Sequence, residues 1–366
     1  MSLGCYEVGE RTVYSKSLAS YIASQTNQYP CWLFHNDVWD TFANTQTHTL
    51  GQVSLDLLYC DRAQQIRDQH DYLILNYSGG PDSHNVLMSF LNNGIPLDEI
   101  YVQRSESVES KLYTPNTDIK GAENLLSEWD YSIKPKLDWV AKNHPNTKIN
   151  IHDVYKNVTP SKFYNQDTFT TSGAFTGAFE LVRQSSYSSS IAEQADKGKS
   201  VADIWGIDKP IIHFNSNQMY LSFTDTCVDV ANRLQNKDHY SVELFYWSPK
   251  FPRLVFEQAY VILQFFKKSL SSNIHLRDFI DNCDKLNRGE LLRRLYTKLL
   301  YTTWDYSFQA EKPMRVNDMG RSRDLYFIQS TDPWLASFKD QWQHHFDSWN
   351  VKQTYCETPW YKVGEL

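Results

Sequence analysis

The sequence predicts an α/β protein: a doubly wound parallel sheet with an N-terminal cap and a mostly helical C-terminal region. Three observations predict it. Residues 72–154 alternate strand-like runs with helical periodicity. The run YLILNY at 72–77 passes through two glycines and a proline into HNVLMSFLNN, whose apolar residues Val86, Leu87, Phe90 and Leu91 share one helical face. Beyond Asp225 the pattern is mostly helical, clearest in RLVFEQAYVILQFFKKSL and LLRRLYTKLLY.

In chain order, residues 1–71 read as a cap with helices around Ser17–Gln25 and Ser54–Gln69. Between them lies the aromatic, turn-rich stretch YPCWLFHNDVWDTF. Residues 72–225 read as the α/β domain. Strand YLILNY leads to a helix at 82–93, strand EIYVQR, a long helical region from Gly121 to about Asn143, and strand KINIHDV. Residues 171–196 contain a helix and the serine cluster QSSYSSS, which reads as a solvated loop. Val201–Trp205 reads as a further strand, and PIIHF and QMYLSF, joined by NSN, as a hairpin. Residues 226–366 read as the helical, aromatic-rich region, and no repeat of 20–50 residues is present.

Composition narrows the class. With 366 residues the chain can build two domains, or one with large additions, and bury its core without staples. No stretch approaches 18 uncharged apolar residues, so no membrane span is expected. The start MSLGCYEVGER lacks the basic and apolar regions of a signal peptide. A net charge of -7 argues against broad nucleic-acid binding, while leaving room for a local basic groove. The six cysteines form no CxxC pair and read as reduced thiols of a cytoplasmic protein. His344 and His345 are adjacent and point about 100° apart on a helix, so they cannot share a metal.

The chemistry concentrates in SGGPDS at 78–83. A strand, a glycine turn and a helix leave backbone N–H groups at the helix start, where they can hold an anion. Gly79 and Gly80 admit close approach of a phosphate and positive φ, Ser78 and Ser83 supply hydroxyls, and Pro81 pre-sets φ for the first helical turn. Asp82 beside a polyanion calls for a cation, and Mg²⁺ shared between carboxylate and phosphates is the natural one. A bare loop holding two glycines is the plain alternative. Five fixed positions in six residues arise by chance in fewer than about one such chain in 1,000. No Walker A loop is present: EQADKGKS at 193–200 has Glu193 where the first glycine belongs, and Lys199 reads as a surface lysine.

SGGPDS, set between strand and helix, closely resembles the SGGxDS signature of the PP-loop ATP pyrophosphatases. That family includes asparagine synthetase, GMP synthetase, NAD synthetase and tRNA-modifying enzymes. The resemblance spans residues 72–225 and is specific only at Ser78–Ser83. It implies a Rossmann-like sheet of the HUP type, with ATP and Mg²⁺ bound at Ser78, Gly79, Gly80, Asp82 and Ser83. It also implies cleavage of ATP to AMP and pyrophosphate, with an acceptor oxygen adenylated for attack by ammonia or an amine. WGIDKP at 205–210 reads either as a plain loop closed by proline or, on the resemblance, as the place where Lys209 neutralises the leaving pyrophosphate and Asp208 joins Asp82 on Mg²⁺. That match is one of role and order, not of motif. The resemblance puts the end of the second strand beside the adenosine, which makes Gln103, Arg104 and Ser105 in YVQRS candidates there, although an arginine at a strand end is usually just a surface residue.

Weaker candidates remain. TTSGAFTG at 170–177 could touch nucleotide or merely cap a helix, and ELFYWSPKFP at 243–252 could wall an acceptor pocket or be core. Arg321 and Arg323 in GRSRD read more simply as a solvated loop. Within the resemblance, Ser2 stands where glutamine-dependent asparagine synthetases carry a nucleophilic cysteine, and 71 residues cannot hold their glutaminase domain. The CxxC pairs of thiolating relatives are missing, and Cys356 in YCETPW does not match the cysteine motif of sulfonucleotide reductases. A stand-alone ligase or amidating enzyme is left. The alternatives are a sulfur transferase or sulfonucleotide-type enzyme using a lone cysteine, and a nucleotide-binding module without catalysis. The acceptor substrate is unidentified.

Overall fold

The computed structural model describes residues 4–14, 16–35, 49–104, 129–153, 188–207, 211–215, 217–225, 240–272, 295–304 and 356–366. Its first element is a small antiparallel sheet, of order β2-β1-β3, formed by β1 (Gly4–Val8), β2 (Arg11–Val13) and β3 (Cys31–Phe34). Helix α1 (Lys16–Thr26) lies between β2 and β3 in the chain. Helices at both sites expected in residues 1–71 are present, but the strands are a correction to a reading that saw only helices and turns there. Alternation explains them: Tyr6 and Val8, and Trp32 and Phe34, are buried on one face, with aromatic rings of Tyr6 and Trp32 4.8 Å apart. Such runs of three to five residues are too short for their period to stand out.

Helix α2 (Leu55–Gln69) starts at Ser54, whose hydroxyl accepts the Leu57 N–H at 3.3 Å as a side-chain cap. Its buried residues Leu55, Leu58, Tyr59, Arg62, Ala63 and Ile66 recur at helical spacing. Next come β4 (Tyr72–Asn76), α3 (Pro81–Leu91) and β5 (Glu99–Arg104). A π-helical turn at Trp129–Ile133 then leads directly into α4 (Lys134–Asn143), followed by β6 (Lys148–Asp153), α5 (Ser188–Asp196) and β7 (Val201–Trp205). The hairpin strands β8 (Ile211–Asn215) and β9 (Gln218–Ser222) follow, then β10 (Tyr240–Leu244), α6 (Arg253–Ser272) and β11 (Tyr361–Glu365). No helix among the described residues is long and apolar enough to cross a membrane.

Five strands form one parallel sheet of order β10-β7-β4-β5-β6. The chain enters at the central strand β4, whose YLIL is buried throughout, as a strand covered on both faces requires. It steps outward to β5 and β6, crosses back to β7 on the other side of β4, and continues to β10. Right-handed crossovers put the helices of outward and return steps on opposite faces. Packing follows that rule. Leu73 and Leu75 share a core with Ile66 of α2, Val86 of α3 and Val140 of α4, whereas Tyr72 and Ile74 pack with Ile191 of α5 and with Val201.

Two further expectations change. The parallel sheet continues past residue 225, where the sequence pattern gives way to helices, because β10 adds a fifth strand. Its SVEL carries buried Glu243 paired to Arg62 at 2.8 Å, and a charge inside a buried strand hides the pattern. Ser188–Ser190 form the first turn of α5 and not a loop, with Ser190 Oγ accepting from Lys148 Nζ and Asn150 Nδ2 at 3.3 and 3.1 Å. The expected hairpin is present, yet β8 and β9 belong to a separate antiparallel sheet completed by β11.

Candidate functional site

The order of the parallel sheet reverses between β4 and β7, with β5 on one side of the pair and β10 on the other. Such a switch point is where doubly wound sheets take ligands. SGGPDS leaves β4 at that place. Gly79 has φ +73°, in the left-handed region, and a Cβ on it would fall 2.5 Å from Ile133 Cγ1. Both the backbone and the neighbour therefore demand glycine. Gly80 is the N-cap of α3, with extended φ −78° and ψ 163°, and no side chain caps the helix. Pro81 occupies the start of the first turn, where a missing N–H costs nothing.

Ser83 holds the turn in shape. Its Oγ accepts the Ser78 N–H at 3.2 Å, lies 3.2 Å from Ser78 Oγ and donates to the Gly80 carbonyl at 3.2 Å. Ser132, on the π-helical turn, donates to the Gly79 carbonyl. From the opposite side the chain leaving β7 packs flush on the turn. A Cβ on Gly206 would sit 3.0 Å from the Ser83 nitrogen.

Asp82 is gripped twice. Tyr301 O–H donates to its Oδ1 at 2.6 Å and Tyr246 O–H to its main-chain carbonyl at 2.7 Å. Tyr246 in turn accepts from Asn85 Nδ2 at 3.1 Å. Burial, reinforced by the charge of Asp82, pushes the phenol pKa of both tyrosines well above 10, so they stay protonated donors. Two turn-side neighbours, Tyr77 and His84, are buried together, and Trp304 meets the His84 ring edge-on at 5.0 Å.

On the other face, Asp203 of β7 ties β4, β7 and β10 together. Its carboxylate accepts from Asn76 Nδ2 at 2.5 Å, Trp205 Nε1 at 2.8 Å and the Tyr240 hydroxyl at 2.8 Å. Burial pushes its pKa up, and the three hydrogen bonds oppose that rise.

Of the residues singled out from sequence, Ser78, Gly79, Gly80, Asp82 and Ser83 lie together at the end of β4. Gln103 and Arg104 end β5, the neighbouring strand, and the Arg104 guanidinium stacks 3.9 Å over the Trp129 ring. Ser105, Asp208 and Lys209 lie outside the described residues, as do TTSGAFTG, Arg321, Arg323, His344 and His345. Lys199 lies over the Tyr72 ring at 5.0 Å, away from the turn. ELFYWSPKFP is core: Leu244, Phe245, Tyr246 and Trp247 are buried, and Trp247 stacks on Phe34 at 4.2 Å. Of the two readings the sequence left open, core and pocket wall, these residues take the first, although Tyr246 still reaches Asp82. Ser132 and Tyr301 escape sequence reasoning, while Gly206 and Tyr246 fall inside the stretches WGIDKP and ELFYWSPKFP without being singled out. Only Gly206 carries a local signal, a glycine directly after a strand.

No protein-family model, curated protein or solved structure matches the chain. Chemically, an uncapped helix start fed by a left-handed glycine, at the reversal of a parallel sheet, can seat an anion on backbone N–H groups. One carboxylate, Asp82, stands within it. Among the described residues no group of three or more His, Cys, Asp or Glu is placed to hold a metal by itself.

Proposed function

We propose that the chain is a PP-loop ATP pyrophosphatase of the HUP type, binding ATP with its phosphates over Ser78–Ser83. The observation that carries this reading is the position of SGGPDS: an uncapped helix start at the strand-order reversal, with Gly79 at φ +73°. The residues fit Mg²⁺ in the way ATP delivers it, with most ligands coming from phosphate and water and one carboxylate, Asp82, from the protein. Bound there, the ion neutralises charge on the phosphates. Asp208 is a second carboxylate for that role, and Lys209 is the cation for the leaving pyrophosphate.

In the reaction proposed, an acceptor oxygen attacks the α-phosphorus and the bond to the α,β-bridging oxygen breaks. Pyrophosphate departs, and the acceptor carries AMP. Ammonia or an amine then attacks the activated carbon, and AMP leaves with the acceptor oxygen. The chain contributes positioning and charge neutralisation. Gln103 and Arg104, at the end of β5, are assigned to the adenosine side together with Ser105, the next residue in the chain. Three of the four described cysteines favour the nitrogen branch over a sulfur branch. Burial pushes the thiols of Cys5 and Cys31 up and away from thiolate, and Cys356 is buried.

The test is chromatography of labelled ATP after incubation with Mg²⁺ and a panel of carboxylates, nucleobases and amines. AMP and pyrophosphate are the expected products, and ADP as the main product overturns the reading. Lys209→Met should lose turnover with a smaller loss of nucleotide affinity, since its contribution is greatest in the transition state.

A further inference from the structure

Tyr301 and Asp82 are 219 residues apart in the chain and 2.6 Å apart in space. The tyrosine is not a chance neighbour. It is 2% exposed, and its ring clusters with those of Tyr246 and Tyr59, 5.7 and 6.4 Å away. Its segment, residues 295–304, is fastened to α2 and α3 at three more points. Tyr59 O–H donates to the Leu300 carbonyl at 2.9 Å, Thr302 Oγ1 donates to Asp56 Oδ1 at 2.7 Å, and Trp304 meets the His84 ring. Meanwhile Tyr246 fixes the main chain of Asp82. The aspartate does not cap the helix, because Gly80 is the N-cap. Its side chain is held from outside the helix instead.

We infer that Tyr301 is a positioning residue for the divalent cation, aiming the Asp82 carboxylate at the metal carried by the nucleotide. This rests on the nucleotide reading given above. A carboxylate oxygen has two lone pairs, so Oδ1 can accept from Tyr301 and still coordinate a cation. Ligating carboxylates are themselves held by hydrogen-bond donors, and losing such a donor weakens metal binding about 10–100-fold. The C-terminal segment thereby completes a site whose motif lies far upstream.

The experiment is calorimetry of ATP binding to wild type and Tyr301→Phe, in EDTA and across a range of Mg²⁺ concentrations. In EDTA the two proteins should bind ATP equally. The Mg²⁺ concentration giving half the metal-dependent gain should rise about tenfold or more in Tyr301→Phe. An unchanged Mg²⁺ requirement in Tyr301→Phe overturns the proposal while leaving the nucleotide reading intact, as does wild-type ATP binding that ignores Mg²⁺. Wild type that binds no ATP brings down both. Hydrogen exchange of wild type covers the case in which Tyr301→Phe does not fold. Exchange across residues 295–304 should slow when Mg²⁺ joins the ATP complex, and unchanged or faster exchange there also overturns the proposal.

Discussion

Gly206 rests on the backbone of Ser83: a Cβ added to the glycine would meet the Ser83 nitrogen at 3.0 Å and its Cα at 3.1 Å. The chain leaving β7 and the first turn of α3 thus share one packed surface. The atoms approached are main chain, which cannot swing aside as the end of a long side chain would. Gly206→Ala should cost about 1–3 kcal/mol, the range for overpacking. It should also weaken ATP binding, because the turn must shift to make room. Urea denaturation and calorimetry on the same preparation check both halves.

Gly79 is held to glycine by two separate terms. Left-handed backbone costs an L-residue about 1–2 kcal/mol, and a Cβ would lie 2.5 Å from Ile133 Cγ1. Gly79→Ala should therefore destabilise the protein by more than the backbone term alone. Shortening the neighbour with Ile133→Ala in the Gly79→Ala background should cost less than the same change made in wild type. A double-mutant cycle in urea measures that coupling, and strict additivity would show that the overlap is relieved elsewhere.

Glu243 supplies a pH signature. Its burial would raise the carboxyl pKa, but the hydrogen bond from His70 and the buried Arg62 outweigh it and hold the pKa at about 2. A carboxyl depressed in the folded state contributes stability that is full above its unfolded pKa of about 4.3. That contribution is lost as pH falls from there through about 2. Glu243→Gln leaves Arg62 buried without its charge partner, which should cost about 3–5 kcal/mol at neutral pH. The deficit relative to wild type should shrink as the pH falls through that window. Melting curves from pH 7 to pH 2 give the comparison.

Legibility in the sequence followed distance along the chain. The strand, turn and helix around SGGPDS are readable because every constraint on them is local: apolar YLIL, glycine at the left-handed position, proline at the helix start. The hairpin β8–β9 is readable for the same reason, but its pairing with β11 is not, because that strand arrives from the other end of the chain. Strand β10 is obscured by Glu243, whose charge is matched by Arg62 from 181 residues away. Tyr301 and Tyr246 reach Asp82 across 219 and 164 residues, and no motif spans such gaps. Arg104, an apparent ligand contact by position, has its guanidinium against Trp129, a partner that only the fold brings near.

Gly80 separates a nucleotide site from a turn that merely folds well. Its φ of −78° and ψ of 163° suit any residue, so the conformation itself does not require glycine there. Gly80→Val should cost at most about 1 kcal/mol of stability at an N-cap. A phosphate approaching the helix start would nonetheless meet the new branched side chain. Calorimetric titration of ATP into wild type and Gly80→Val, with melting temperatures taken in the absence of ATP, is the most direct measurement. The expected result is an ATP affinity lowered more than tenfold, or over about 1.4 kcal/mol, with a small fall in melting temperature. Equal ATP affinity in the two proteins, or no ATP binding by wild type, would contradict a nucleotide site at Ser78–Ser83.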